Sequence, residues 1–242
     1  MRVSLVFITR NEIDGLRAIF ESIPRAGVHE TFAVDGHSAD GTVEFFKDHG
    51  IPVFAQVEKG LGAAMLEARA HATGEALIYF HPDGNEDPGA IPLFIERLEA
   101  GAQFVVASRM IPGARNEEDD QIFRWRKWAN QGLALMANVL FARNGARTTD
   151  ITNGLRAITC EAFDRMHLTS RDLTMDFQMV IRALKLGIHI EELPTREGER
   201  IGGSTNFSSL QTGLKELGLI WKELLGGQSV FTASNAQEEF QK

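Results

Sequence analysis

Val34-Asp35-Gly36-His37-Ser38-Ala39-Asp40-Gly41-Thr42 closes an apolar run with acids, glycines and a serine. A strand that stops in this way sets small polar groups at the carboxyl edge of a sheet, where open α/β sheets bind ligands. A second apolar run, residues 76–80, ends likewise in His81-Pro82-Asp83-Gly84-Asn85-Glu86-Asp87-Pro88. Two such endings in one chain predict a site for a polar, phosphorylated ligand and a hard metal ion.

On either side of these stretches the pattern alternates. Apolar runs predict strands at residues 3–9, 30–35, 51–56, 75–80 and 102–108, and helical spacing covers 11–23, 40–49, 60–73 and 88–100. The alternation predicts an α/β, Rossmann-like fold: a mostly parallel central sheet with helices on both faces. Past Arg109 come a polar loop at 112–121, a long helix at 123–142 opening in R-W-R-K-W, a strand at 150–158 and a helix at 173–186. A strand at 188–193 and a Gly-rich loop at 197–206 complete a domain expected to span 1–206. Residues 207–225 carry an apolar stripe of Phe207, Leu210, Leu214, Leu217, Trp221 and Leu224, which marks an amphipathic helix. The polar tail, 226–242, reads as disordered.

Composition narrows the function. A net charge of -8 disfavours non-specific nucleic-acid binding. Cys160 is the only cysteine, so no intrachain disulfide can form, which fits a reducing compartment. No stretch approaches the roughly 20 apolar residues of a membrane span, and charge interrupts the first residues too soon for a signal peptide. The expectation is a cytoplasmic protein, soluble or peripheral on the inner face of the membrane. The histidines show no zinc-ligand spacing.

Each candidate residue also has a plainer reading. Asp35 can accept hydrogen bonds from a base or ribose, or can simply shape a turn, while Asp40 caps the next helix. Asp83 and Asn85 can offer oxygen ligands to Mg²⁺ or Mn²⁺, although D-G-N is also a common turn. Glu86 and Asp87 are further ligand candidates and equally suit a helix start before Pro88. Gly60 and Gly62 can bring backbone N–H groups to a phosphate or make a tight turn. Arg109 and the cluster Arg124, Arg126 and Lys127 suit phosphates. Trp125 and Trp128, interleaved with those cations, suit a membrane interface or a helix with tryptophans to the core and cations to water. Asp150, Asn153 and Arg156 are polar groups in a strand-like segment, and Arg200 with Gly202, Gly203 and Ser204 makes a loop able to close on a diphosphate.

The ordered series is T-R-N-E (9–12), the run at 34–42, K-G-L-G (59–62), P-D-G-N (82–85) and S-R-M-I-P-G (108–113). It continues with R-K (126–127), D-I-T-N-G-L-R-A (150–157) and R-I-G-G-S (200–204). This series resembles the family-2 glycosyltransferases of GT-A (nucleotide-diphospho-sugar transferase) fold, most of all their dolichol-phosphate mannosyltransferase-like, polyprenyl-phosphate branch. The resemblance implies that Thr9, Asn11, Glu12 and Asp35 hold the nucleoside of a nucleoside-diphosphate sugar, with Gly62 nearby. It implies that Asp83 and Asn85 bind the metal, and that Arg200 and Ser204 meet the diphosphate. Arg109 would face sugar-diphosphate and acceptor, and Arg126 and Lys127 the acceptor phosphate, beside Asp150 and Asn153.

Three departures stand out. His81 occupies the place of the first acid in the family's D-x-D-x-Q stretch, and Gly36 that of a second acid in many members. The hydrophobic C-terminal anchors of some members have no counterpart, and the helix from Phe207 is expected on a membrane or in a homodimer interface. The implied activity is inverting transfer of a hexose from GDP-mannose or a UDP-sugar to a polyprenyl phosphate, already ionised and needing no general base. A hydroxyl acceptor would need one, with Asp150 or Asp176 as candidates. A nucleotide-sugar-binding module without turnover is the alternative that His81 and Gly36 suggest.

Overall fold

In β1 (Val3–Thr9) every side chain is buried, because helices cover both faces of the sheet. Successive residues point to opposite faces: Leu5 and Phe7 join one apolar cluster, Val6 and Ile8 the other. The computed structural model describes residues 1–115, 125–201 and 209–226. After β1 come α1 (Ile13–Ile19), β2 (Glu30–Asp35), α2 (Thr42–Asp48), β3 (Val53–Ala55), α3 (Leu61–His71), β4 (Ala76–Phe80), α4 (Ala90–Glu99) and β5 (Phe104–Ser108). The chain continues with α5 (Trp125–Phe141), β6 (Arg156–Thr159), α6 (Cys160–Arg165), α7 (Met175–Leu186), β7 (Ile190–Pro194) and α8 (Ser209–Leu225).

The strand order is β3-β2-β1-β4-β6-β5-β7. All neighbours run parallel except β6, which is antiparallel to both β4 and β5. Helices α1, α2 and α4 pack on one face, and α3, α5, α6, α7 and α8 on the other. The chain builds outward from β1 to β3 and then crosses back to place β4 on the other side of β1. That reversal opens a crevice at the carboxyl ends of β1 and β4, the position where such sheets bind ligands.

Several boundaries differ from the sequence pattern. The helix expected over 11–23 begins only at Ile13 and tightens into a 3₁₀ turn at Phe20–Ser22. Its first amides are capped from afar: Thr42 Oγ1 accepts from Glu12 N at 3.0 Å and Asp40 Oδ2 from Ile13 N at 3.0 Å. The strand expected at 51–56 pairs only over Val53–Ala55. The strand expected at 150–158 forms only over Arg156–Thr159. Upstream, Asn153 Oδ1 takes the Leu155 amide at 2.9 Å, and Glu192 Oε1 takes the amides of Thr149 and Asp150 at 2.8 and 3.0 Å. Side chains that bind the backbone in this way compete with ladder pairing. Helix α6 has no forerunner in the sequence reading. Of the polar loop at 112–121, residues 116–121 lie outside the described residues, as do Arg124 and the tail from 227.

Helix α8 leaves the described part of its apolar stripe turned away from the rest of the fold. Leu214, Leu217, Trp221 and Leu224 are exposed, while Glu216, Leu219, Ile220 and Glu223 are buried. The reason lies in α7. Glu223 Oε1 accepts from Gln178 Nε2 at 3.0 Å and Arg182 Nε at 2.9 Å, and Glu223 Oε2 meets Lys185 Nζ at 2.7 Å. Arg182 and Lys185 are themselves buried, so α8 docks through the face that supplies their counter-charge.

Candidate active site

The loops leaving β1 and β4 line the crevice between those strands. Glu12 lies just past β1 and Asp83 just past β4, and both meet Arg200. Arg200 Nη2 lies 2.6 Å from Glu12 Oε1, and Nη1 lies 3.1 Å from Asp83 Oδ2. Burial raises the Glu12 carboxyl to about 7, with the Arg200 guanidinium opposing and the Asp83 carboxylate adding to the rise. The two loops are held together by close approach. A Cβ on Gly15 would collide with the Pro82 carbonyl oxygen and lie 2.9 Å from Asp83 Cα.

A strap from β7 carries Arg200 to this point. Arg115 N donates to Thr195 O at 2.9 Å and Glu197 N to Arg115 O at 3.1 Å. Gly198 N then donates to Asn85 O at 2.9 Å, Asn85 Nδ2 to Gly198 O at 2.9 Å, and Ile201 N to Asp83 O at 2.7 Å. The part of the Gly-rich loop that the structure describes is thus bonded to the P-D-G-N turn. Gly202, Gly203 and Ser204 lie outside the described residues.

His81 is paired with Glu86, whose Oε2 accepts the His81 amide at 2.8 Å and whose Oε1 lies 2.7 Å from Nδ1. Burial opposes the imidazolium, but Glu86, then Asp83 and Asp176, outweigh it and raise His81 to about 9. The position of the expected first acid is therefore taken by an imidazole whose protonated form Glu86, Asp83 and Asp176 favour.

Beside this pair, Arg109 at the end of β5 is enclosed by acids. Its Nε and Nη2 reach Asp150 at 2.8 and 2.9 Å, and Nη1 reaches Glu197 at 3.0 Å. Asn130 of α5 adds a hydrogen bond to Asp150 Oδ1 at 2.8 Å. Burial alone would raise Asp150, yet Arg109 and these hydrogen bonds hold it below the usual carboxylate range. The carboxyl edge of the sheet thus gathers anion-seeking and cation-seeking groups in one crevice.

Glycosyl transferase family 2 matches residues 4–168, which contain β1 to β6 and the crevice residues other than Glu197 and Arg200. The chain belongs to glycosyl transferase family 2. Glycosyltransferase AglJ of Haloferax volcanii is 29% identical over 230 residues, covering 92% of this chain and 70% of its own. Undecaprenyl-phosphate mannosyltransferase of Micrococcus luteus is 27% identical over 224 residues, covering 86% and 88%. Among solved structures, glucosyl-3-phosphoglycerate synthase from Mycobacterium tuberculosis with Mn²⁺ and UDP-glucose has a TM-score of 0.67 at 17% identity. It covers 96% of this chain and 79% of that one. The fold is GT-A, and the protein is a transferase.

Within this family-2 domain the other expected residues fall into three groups. Asp35 is buried at the end of β2, where its oxygens take Thr9 Oγ1 at 3.1 Å, Ser38 N at 2.8 Å and Ser38 Oγ at 2.6 Å. Asn11 closes the same turn, its Oδ1 accepting from Ala39 N at 2.9 Å. Gly62 sits apart from this turn. The amides of Gly62 and Ala63 donate to the carbonyls of Asp172 and Arg171, at 3.2 and 3.1 Å. The start of α3 thus gives those amides to the chain, not to a phosphate, and a Cβ on Gly62 would meet Ser170 O at 2.5 Å. Arg126 and Lys127 open α5, Arg126 exposed and Lys127 half-buried, while Asn153 is buried before β6. Trp125 and Trp128 are 43% and 53% exposed, which removes the reading that puts them in the core.

The family's divalent cation can be tested against these donors. Asp83 Oδ1 accepts the Asn85 amide at 2.9 Å, and Asp83 Oδ2 faces the same point as Glu12. Among the described residues no group of three or more His, Cys, Asp or Glu could hold a metal. A magnesium-like ion needs only one or two protein oxygens when substrate phosphates and water complete its shell. Asp83 Oδ2 is one such oxygen, and the Arg200 guanidinium beside it marks the point as one that favours positive charge; the Asn85 side chain is engaged through Nδ2 with Gly198 O.

Sequence reasoning missed Glu197, Asn130 and Glu216. Glu197 and Asn130 join the site as partners of Arg109 and Asp150, and nothing in their local sequence signals that. Buried Glu216 is raised to about 7, chiefly by desolvation and then by the Asp176 carboxylate. Asp176 is itself raised by burial, with Arg156 opposing; its Oδ1 lies 3.2 Å from Arg156 Nη2 without a hydrogen bond.

Proposed function

We propose that the protein transfers a hexose, with inversion, from a nucleoside-diphosphate sugar to a polyprenyl phosphate at the inner face of a membrane. The observation that carries this reading is the Glu12–Arg200–Asp83 cluster at the crevice between β1 and β4. Thr9, Asn11, Glu12 and Asp35, with Gly62 farther out, would form the nucleoside end, and either GDP-mannose or a UDP-sugar suits it. Arg200, with Ser204 four residues on, would face the diphosphate. Asp83 and Asn85 would hold Mg²⁺ or Mn²⁺, which supplies Lewis-acid neutralisation of a leaving diphosphate.

An acceptor phosphate oxygen attacks the anomeric carbon as the bond to the diphosphate oxygen breaks, and the nucleoside diphosphate leaves with the electron pair. The acceptor is already ionised, so no proton is removed. What the chain contributes is positioning and fixed charge. Arg126 and Lys127 would bind the acceptor phosphate. Arg109, held by Asp150, and Asn153 would line the path between acceptor and donor. The Micrococcus relative's name, a mannosyltransferase acting on undecaprenyl phosphate, supports this acceptor class.

A hydroxyl acceptor is the second reading, and one observation favours it. Asp176 is a buried carboxyl whose Oδ1 lacks a hydrogen bond, whereas Asp150 is engaged by Arg109 and Asn130. Asp176 would then be the base. The deciding experiment incubates the protein with labelled GDP-mannose or UDP-sugars, Mn²⁺ or Mg²⁺, and both short-chain polyprenyl phosphate in detergent and soluble glycan acceptors. Label moving into the lipid supports the proposal. Label moving only to sugar hydroxyls, with loss in Asp176→Asn, supports the second reading, and donor binding without any product rejects both.

A further inference from the structure

We propose that α5 and α8 together form the face by which the protein lies on an anionic lipid bilayer. Both helices pack on the same side of the sheet and against each other. α5 buries Asn130, Ala134, Ala137 and Phe141. On its other side Trp125, Trp128, Leu135 and Val139 lie along one line at helical spacing, with Leu135 65% and Val139 75% exposed. α8 repeats the arrangement with Leu214, Leu217, Trp221 and Leu224, and Trp221 is 67% exposed. An apolar surface of this extent on two adjacent helices marks an interaction site rather than scattered exposure.

Charge identifies the occupant. α5 contains no Asp or Glu, and the two acids of α8, Glu216 and Glu223, are buried. The remaining charged residues of the two helices, exposed Arg126, Lys215 and Lys222 and half-buried Lys127, are all basic in a chain of net charge -8. Lys215 also meets Asp172 at 2.7 Å. Exposed apolar side chains and tryptophans on helices whose only exposed charges are cations match an anionic headgroup layer over hydrocarbon. A second copy of the chain, docked through the same face, would offer these basic groups no acidic partner on the two helices. No helix among the described residues is long and apolar enough to cross a membrane, so the two helices would lie along the surface.

The docking face stands independently of the acceptor. Its link to catalysis rests on the proposed function: Asn130 of α5 bonds Asp150, which holds Arg109, so docking would turn the acceptor side of the site toward a lipid phosphate.

The test is co-sedimentation of the full chain with phosphatidylglycerol/phosphatidylcholine vesicles and with phosphatidylcholine alone. The expected result is salt-sensitive binding to the anionic vesicles. Trp221→Glu and Val139→Glu, on separate helices and both at exposed positions, should each weaken that binding about tenfold or more without moving the thermal melt. Failure of the unmodified protein to bind anionic vesicles overturns the proposal, as does undiminished binding by both variants. A dimer that both variants dissociate, in a protein that ignores vesicles, would assign the face to a second copy. Transfer in detergent is read in parallel. Transfer without vesicle binding removes the docking face and leaves the function, and binding without transfer does the reverse.

Discussion

Arg109 and Asp150 share three hydrogen bonds: the Arg109 amide and Nε both meet Asp150 Oδ2, at 3.0 and 2.8 Å, and Nη2 meets Oδ1 at 2.9 Å. Asp150 is fully buried. The pair joins the end of β5 to the irregular segment before β6, so it holds that side of the crevice as much as it presents a charge to it.

Asp150→Asn should therefore destabilise the fold by about 3 kcal/mol, because it leaves a largely buried guanidinium with Glu197 as its remaining counter-charge. Urea denaturation measures this. A change below the error of the fit would show that the pair is not a structural clamp.

Arg200→Ala should lower kcat/KM for the nucleotide sugar about a hundredfold if the guanidinium stabilises the leaving diphosphate. Arg200 is partly exposed, so the melting point should barely move. Steady-state kinetics beside a thermal melt separates the two effects, and an unchanged kcat/KM would remove Arg200 from the donor site.

Gly15→Ala should cost about 1–3 kcal/mol, since its methyl group would press on the Pro82 carbonyl and Asp83 Cα. The same pressure would move Asp83 away from Glu12. Mn²⁺-dependent donor binding, measured by calorimetry, should weaken along with stability. Donor binding that survives intact would mean that Asp83 and Glu12 do not act at one point.

Glu216 sets a pH dependence whose sign is opposite to that of Glu223. Burial, and then Asp176, raise the folded-state value of Glu216 from 4.5 to about 7. The folded state binds the extra proton in that window, so this contribution to stability is present below 4.5 and lost as pH rises through about 7. Glu216→Gln should flatten the stability profile between those limits. Burial opposes ionised Glu223, but Lys185 and Arg182 outweigh it and lower the value, so its contribution is present above 4.5 and lost as pH falls through the folded value. Denaturation at a series of pH values for both Gln variants checks the two signs.

Loss of the metal role is equally direct to test. Asp83→Ala should abolish the Mn²⁺-dependent part of the thermal shift given by GDP or UDP, while any metal-independent shift persists. Equal shifts in the variant and the parent would take Asp83 out of the metal site.

The local alternation of apolar runs and polar endings was enough to place β1, β2, β4 and β5 and the acids just beyond them. Periodicity and turn chemistry are near-neighbour properties that a sequence displays directly, and the ordered motifs pointed to the family. Other features needed the folded chain. The antiparallel entry of β6, the pairing of His81 with Glu86 and the clamp of Arg109 by Asp150 and Glu197 depend on residues brought together across the sheet. Helix α8 makes the same point: its leucine stripe is plain in the sequence, yet which face turns inward was decided by Arg182 and Lys185 of α7. Two buried cations require their counter-charge within a few ångströms, and that requirement exists only once the helices are packed.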